Sequence, residues 1–438
     1  MRRLLLLFAA LCIALPSLAQ VVRLKLDDTI QPVSEEYISR GIDYAAEHNA
    51  QAVLIELHTP GGLVTSTRAI ISKILGSKVP VIIYVYPTGA NAASAGFFIL
   101  ESADIAAMAP GTNTGSAHPV SLAFGVAQTK EDDTMKAKIE NDLAAFLRSY
   151  VSKRGRNVAL AETGVRESKA FSDQEALSQN LIDVIAKDEQ DLLSQVNGRT
   201  VKRFDGSTVV MKIAAAPITD YDRSLKERLL GFLVDPNIAF LIFAIGAIGL
   251  YAEFNHPGAI IPGVVGTVCI LLALFAFHFL PIRYAAVTLI LASFIFFALE
   301  AKFATHGILG IAGIACLALG GMLLVDGPIP EMRVKWEMAL SVSVAFGLIT
   351  VFLMTIALRA RRNKVTTGIQ GLLGQTGVAR SPLSPTGKVT VMGEIWDAAS
   401  LVPVAAGEPV VIRGIDGLTL RVEPVAQSVA AREVVLQR

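Results

Sequence analysis

Five long apolar runs in the second half of the chain constrain the fold more than any other feature. They cover residues 238–254, 259–280, 284–303, 307–325 and 338–358. Each is near the roughly 20 residues an α-helix needs to cross a bilayer. Glycine-rich pieces such as residues 307–313 suit close helix–helix approach in lipid. Residues 231–358 therefore read as an all-α polytopic membrane block of about five helices, the fourth run having a re-entrant segment as its alternative. Only ten of these 128 residues are charged, against 18% for the whole chain. The greasiness is thus local, and the 438-residue length leaves room for water-soluble units on either side. The net charge of +1 lacks the basic excess expected of a nucleic-acid binder.

The first residues have the texture of a secretory signal. Arg2 and Arg3 precede an apolar stretch to Leu15, then Pro16-Ser17-Leu18-Ala19, with cutting expected after Ala19. The densest basic cluster beside an apolar run is Arg359-Ala-Arg-Arg362-Asn-Lys364. The positive-inside rule places it in the cytoplasm. Residues 20–230 outside the cytoplasm, five spans and a cytoplasmic tail are mutually consistent, whereas four spans are not. The expected location is a bacterial-type inner membrane. Cys12, Cys269 and Cys316 all lie in apolar runs, so the translocated domain has no thiol to use as a nucleophile.

Residues 20–230 alternate β-rich runs (21–26, 52–57, 79–86, 105–107) with helical patterns (34–48, 64–75, 92–101). That rhythm argues for an α/β domain with mainly parallel pairing. A longer amphipathic helix is expected over 130–153, with Ile139, Leu143, Phe146, Leu147 and Tyr150 on one apolar stripe. Residues 366–438 show only short β-type runs broken by Gly and Pro, which suggests a small all-β barrel or sandwich. Glu253…His256-Pro-Gly258 and Glu300…His306-Gly307 each precede a glycine-rich run. They hint at an internal duplication, with chance as the competing reading.

Two constellations could carry chemistry. His58-Thr59-Pro60-Gly61-Gly62 follows a strand and precedes a helix. Adjacent glycines there can aim backbone N–H groups at a developing oxyanion; the competing reading is a tight turn. Gly89-Ala-Asn-Ala-Ala-Ser94-Ala-Gly96 is a run of small residues opening a helix. A serine in the first turn would sit in the helix's positive field; the competing reading is a close packing surface. Candidate bases for Ser94 are His58, His118, Lys130, Lys136 and Lys138. Lys136 shares the stripe of Ile139 and Leu143, while Lys138 flanks it and has a surface pairing with Asp142 as its structural alternative. Periodicity does not choose between the lysines.

Together with Ala109-Pro-Gly-Thr-Asn-Thr-Gly115, Lys138-Ile-Glu-Asn-Asp142 and Arg154-Gly-Arg-Asn157, these segments resemble the long-form NfeD family. Its members are membrane-bound serine proteases of the ClpP/crotonase fold, similar to signal peptide peptidase A. Gly371-Leu-Leu-Gly-Gln-Thr-Gly377 and Gly393-Glu-Ile-Trp396 resemble the family's C-terminal OB-fold. The resemblance implies Ser94 as nucleophile, Lys138 as general base, and Gly61, Gly62 and the Ala95 N–H as oxyanion donors. It implies no cofactor or metal, a stomatin-like (SPFH/band 7) membrane protein as substrate or partner, and a homodimer or higher oligomer. His58 stands where the family usually has Asp or Asn. His118, 24 positions after Ser94, suggests a Ser-His-Asp alternative with Asp173 or Asp183 as third member. A protease-like scaffold that binds without cutting is the main alternative function. An acyl-CoA enzyme of the crotonase type fits poorly with five spans. The tail has no aromatic-plus-basic surface for oligonucleotides.

Overall fold

The alternation in residues 20–230 produces a six-stranded, wholly parallel sheet. Across it the order is Ile218–Asp220, Val21–Asp27, Ala52–His58, Val81–Val85, Ile105–Met108 and Val184–Ile185. The computed structural model describes residues 20–118, 130–214, 216–255, 258, 260–303, 305–362 and 369–425. The signal segment, His256 and the side chain of Lys130 lie outside the described residues. Strands covered on both faces read as continuous apolar runs, and Val81–Val85 is buried at every position. Alternate side chains feed two cores. Val53, Ile55 and Leu57 pack with helices Pro32–Glu47 and Val64–Leu75, while Ala52, Leu54 and Tyr84 pack with helix Glu189–Val196.

A second sheet pairs Asn91–Ala93 with Asn113–Gly115 in parallel and the latter with Ala170–Ser172 antiparallel. The expected helix from residue 92 therefore begins later. Residues 91–93 are extended, held by the Thr59–Ala92 bridge, and the helix runs Ala95–Ser102. All eight of its residues are buried. Its last carbonyls are clasped by two guanidinium groups. Arg154 Nε donates to Ser102 O at 3.0 Å. Arg156 donates to Glu101 O at 2.7 Å and to Ala103 O at 3.1 Å. Cations at a helix C-terminus complement both its unpaired carbonyls and its dipole. Arg154 is paired with buried Asp104, and Arg156 with Asp183 at 2.7 Å.

The apolar runs form helices Pro236–Asn255, Ile261–His278, Tyr284–Phe303, Ile308–Leu323 and Trp336–Arg362. Three stretches, Pro236–Phe254, Ile261–His278 and Pro330–Leu353, are long and apolar enough to cross a membrane. Tyr284–Glu300 and Ile308–Leu323 are shorter apolar helices. The first four helices form two pairs joined through glycine. A Cβ on Gly249 would lie 2.9 Å from Gly266 Cα, and one on Gly320 would lie 3.1 Å from Ala286 O. In both pairs a glutamate near the end of the first helix accepts backbone N–H groups that follow it. Glu253 accepts from Gly258 N at 3.1 Å. Glu300 accepts from Gly307, Leu309 and Gly310 N. Helix Leu225–Val234 docks on Pro32–Glu47 through Arg40–Glu227 and Lys226–Glu36, and Val33 packs into the membrane block's core.

The C-terminal unit is a closed five-stranded barrel, in the order Thr376–Ala379, Thr386–Val391, Glu394–Ala399, Thr419–Pro424, Pro409–Asp416. Its first strand lies partly within the motif at 371–377.

Buried Glu101 sits 4.0 Å from Arg156, which Asp183 already engages. Desolvation, opposed by Arg156 and reinforced by Asp183, pushes its carboxyl up to about 8. The folded domain thus keeps this proton well above pH 4.5, the ordinary value at which the unfolded chain releases it. Its stabilising contribution is complete below that value and is lost as pH rises toward 8. The thermal midpoint of the detergent-solubilised chain should fall between pH 5 and 8.5. Glu101→Gln should flatten that fall, by roughly 5 °C at the alkaline end; an unchanged pH profile in the variant would refute the assignment.

Candidate active site

The glycine turn and the small-residue run meet because both lie at the C-terminal ends of neighbouring strands. Thr59 N donates to Asn91 O at 2.8 Å and Ala93 N to Thr59 O at 3.1 Å, which locks the segments side by side. Small residues are needed at the crossing. A Cβ on Gly96 would lie 2.6 Å from Thr59 Cγ2, and one on Gly61 would lie 2.8 Å from Ser94 Cβ. A Cβ on Gly62 would lie 2.1 Å from Ile30 O.

Ser94 is the N-cap of helix Ala95–Ser102 rather than a first-turn residue, with φ +52° and ψ −112°. A non-glycine residue with positive φ outside the left-handed well is strained, and such strain persists where the surroundings enforce it. Here the enforcing contacts are Ser94 N to Gly115 O at 2.9 Å and Phe97 N to Ser94 O at 3.1 Å. The side chain therefore sits over the positive end of a buried helix whose other end is clasped by Arg154 and Arg156. Gly61 N donates to Thr59 Oγ1 at 3.2 Å, while the Gly62 N–H has no acceptor among the described residues.

Ser94 opens onto an apolar cleft of about 380 Å³. Phe98, Ile139, Leu143 and Phe146 line it opposite Pro60 and Gly62. Ala95 and His118 also line it, so the structure brings together Ser94, Gly62, Ala95 and His118, with Gly61 against the serine. His118 Nδ1 lies 3.0 Å from Val165 O. A carbonyl only accepts, so Nδ1 carries the proton and Nε2 is the basic nitrogen. Neither Asp173 nor Asp183 orients this histidine. Asp183 holds Arg156 and Ala106 N, and Asp173 contacts Gln174.

The lysines stand differently. Lys138 is exposed on helix Lys130–Val151, one position before the cleft residue Ile139, and is not itself a lining residue. Lys136 is half-buried. Asp142 is bound by Arg68, not by Lys138. His58 turns away from the cleft. Its Nδ1 accepts from Asn91 N at 3.0 Å and its Nε2 faces Asp27 at 3.9 Å, which makes it a tie between the two segments. Sequence reasoning missed Arg68, whose guanidinium lies 4.3 Å over the Phe146 ring, and Pro328 and Ile329, which reach the cleft from the membrane block. Nothing in local sequence marks a residue that approaches from over 200 positions away.

Three family models match in succession. They are the NfeD1b N-terminal domain over residues 20–202, the NfeD integral membrane domain over 237–356, and the NfeD-like C-terminal, partner-binding domain over 369–424. Membrane-bound protease PH1510 of Pyrococcus horikoshii is 33% identical over 96% of this chain and 97% of its own. The chain belongs to the NfeD family. Membrane protein NfeD1b of Bacillus subtilis is 27% identical over 83% of each chain. A solved structure described as the 1510-N membrane protease specific for a stomatin homolog from Pyrococcus horikoshii is 32% identical. It covers 49% of this chain and 99% of that one, with a TM-score of 0.42.

In this NfeD protein, Gly61→Ala should displace Ser94 without unfolding the sheet. Labelling of Ser94 by a fluorophosphonate probe should drop at least about tenfold while the circular dichroism spectrum is retained. Equal labelling would show that the contact does not position the serine.

Proposed function

We propose that this chain is a membrane-anchored serine endopeptidase that cuts apolar segments of membrane-associated proteins. The observation that carries the reading is Ser94, held at positive φ at the start of a buried helix, against Gly61 and at the mouth of an apolar cleft. Full-length similarity to a membrane-bound protease supports the same class of chemistry. Lys138, the base implied by family resemblance, would remove the Ser94 Oγ proton as the oxygen attacks a peptide carbonyl. The backbone N–H groups of Gly61, Gly62 and Ala95 would receive the oxyanion. Lys138 would then protonate the leaving amine, and water would open the acyl-enzyme. This role needs a neutral amine, which burial under a bound apolar substrate favours.

His118 is the second reading, favoured by its place in the cleft and by the Val165 carbonyl that holds its Nδ1. In either case the α/β domain, residues 20–230, works outside the cytoplasm. The barrel, within residues 366–438, lies on the cytoplasmic side and binds a partner, consistent with the description of its family model. A stomatin-like membrane protein is the proposed substrate or partner, and a homodimer the proposed assembly.

The test is cleavage of a peptide with an apolar run by the full chain in detergent. Ser94→Ala should abolish it. Lys138→Ala should lose at least about 100-fold in kcat, the scale of a missing general base, while His118→Ala stays within a few-fold. Full activity in Lys138→Ala with loss in His118→Ala would transfer the role to the histidine. Undiminished cleavage by Ser94→Ala would assign the activity to a contaminant and leave a non-catalytic scaffold.

A further inference from the structure

The cleft beside Ser94 is not built by the α/β domain alone. Pro328 and Ile329 line it together with Val64, Phe98 and Ile139. They belong to the loop between helix Ile308–Leu323 and helix Trp336–Arg362, inside the membrane block. The same loop continues past the glycine turn, since Pro60 also lines an adjoining cavity with Glu331 and Met332.

The loop is stitched in place. Asp326 N donates to Pro281 O at 2.8 Å, and the Asp326 carboxylate pairs with Arg283. Arg333 Nε donates to Gly327 O at 2.9 Å. A Cβ on Gly327 would lie 2.5 Å from Met332 O, so the turn closes only on glycine. Met332 N donates back to Ile329 O at 3.1 Å, and Met332 is buried. Prolines on both sides of Ile329 fix φ at their own positions and bias the isoleucine toward extended backbone. A half-buried isoleucine presented on so constrained a loop is a wall.

We infer that Pro328 and Ile329, held by this stitched loop, form a fixed wall of the substrate cleft, and that Ile329 sets the size of the apolar side chain accepted beside the scissile bond. The inference rests on the protease reading for its substrate class, an extended peptide segment with bulky apolar side chains. Around Ile329 the lining is mainly apolar, with Val64, Phe98, Ile139, Leu143 and Phe146, and Arg68 is occupied by Asp142 and Phe146. Removing most of one wall side chain changes discrimination between peptides by about tenfold or more.

Two measurements on the full chain in detergent test this. In the first, peptides differing at one apolar position, Ala, Leu or Trp, are compared by kcat/KM. Ile329→Ala should shift preference toward Trp, and Ile329→Trp toward Ala, each by about tenfold. An unchanged ranking in both variants overturns the wall. The second does not need turnover. In Ser94→Ala carrying Ile329→Cys, the Leu-containing peptide should slow maleimide modification of the new thiol at least about fivefold. The same peptide should leave a cysteine at the exposed barrel position Leu418→Cys unprotected. Labelling of Cys269 and Cys316 is subtracted using the parent Ser94→Ala chain. Protection at position 329 without Ser94-dependent cleavage would sink the protease reading and keep the wall. Cleavage without protection would sink the wall and keep the protease.

Discussion

The clasp of Arg154 and Arg156 on the end of helix Ala95–Ser102 holds the site together. That helix is two turns long and fully buried, too short to be stable by itself. Its C-terminal carbonyls would be orphaned in the core without the two guanidinium groups. Removing one of those groups would strand both a carbonyl and a carboxylate, which is a severe class of loss in a buried network. The arginines are themselves fixed by Asp104 and Asp183, which also accept from Val81 N and Ala106 N of the central sheet. Sheet, clasp and helix therefore form one rigid chain of contacts ending at Ser94. The strained serine backbone is sustained by that rigidity.

Much of this was legible in sequence, for identifiable reasons. Parallel strands buried on both faces leave continuous apolar runs, so Ala52–His58 and Val81–Val85 were visible within two residues. Membrane helices announce themselves by length. Ser94 and the glycine turn stood out because close crossings demand small residues, whatever the chemistry. Ala92 and Ala93 read as the start of a helix because alanine has high helical propensity, and only the tertiary bridge to Thr59 makes them extended. The base could not be read from periodicity, since nucleophile and base meet in space and not in sequence. The geometry sharpens that question by placing His118 inside the cleft and Lys138 on its rim helix. His58 resolves to a bracing contact, an outcome that its position beside the glycine turn did not disclose.

The membrane block is more than an anchor. Its paired helices pack backbone to backbone through glycine, and in the second pair Glu300 caps the following helix. Its ends are shaped by the α/β domain through Val33 and the docked helix Leu225–Val234. Hydropathy separates the chain into blocks, yet the folded cleft draws residues from both. A domain boundary drawn from composition alone runs through the middle of the binding surface.

The C-terminal barrel carries a quieter implication. Its five strands close on themselves, Thr376–Ala379 pairing with Pro409–Asp416 to complete the circuit. Closure removes the free edges through which sheets recruit an extra strand. Among the described residues the barrel therefore offers no free strand edge for β-augmentation. A partner must be gripped by side chains that stand out from the surface, such as Met392, Ile395, Leu401 and Leu418, which are all exposed. Recognition there would be a matter of shape and greasy contact, indifferent to whether the bound segment is helix, strand or loop.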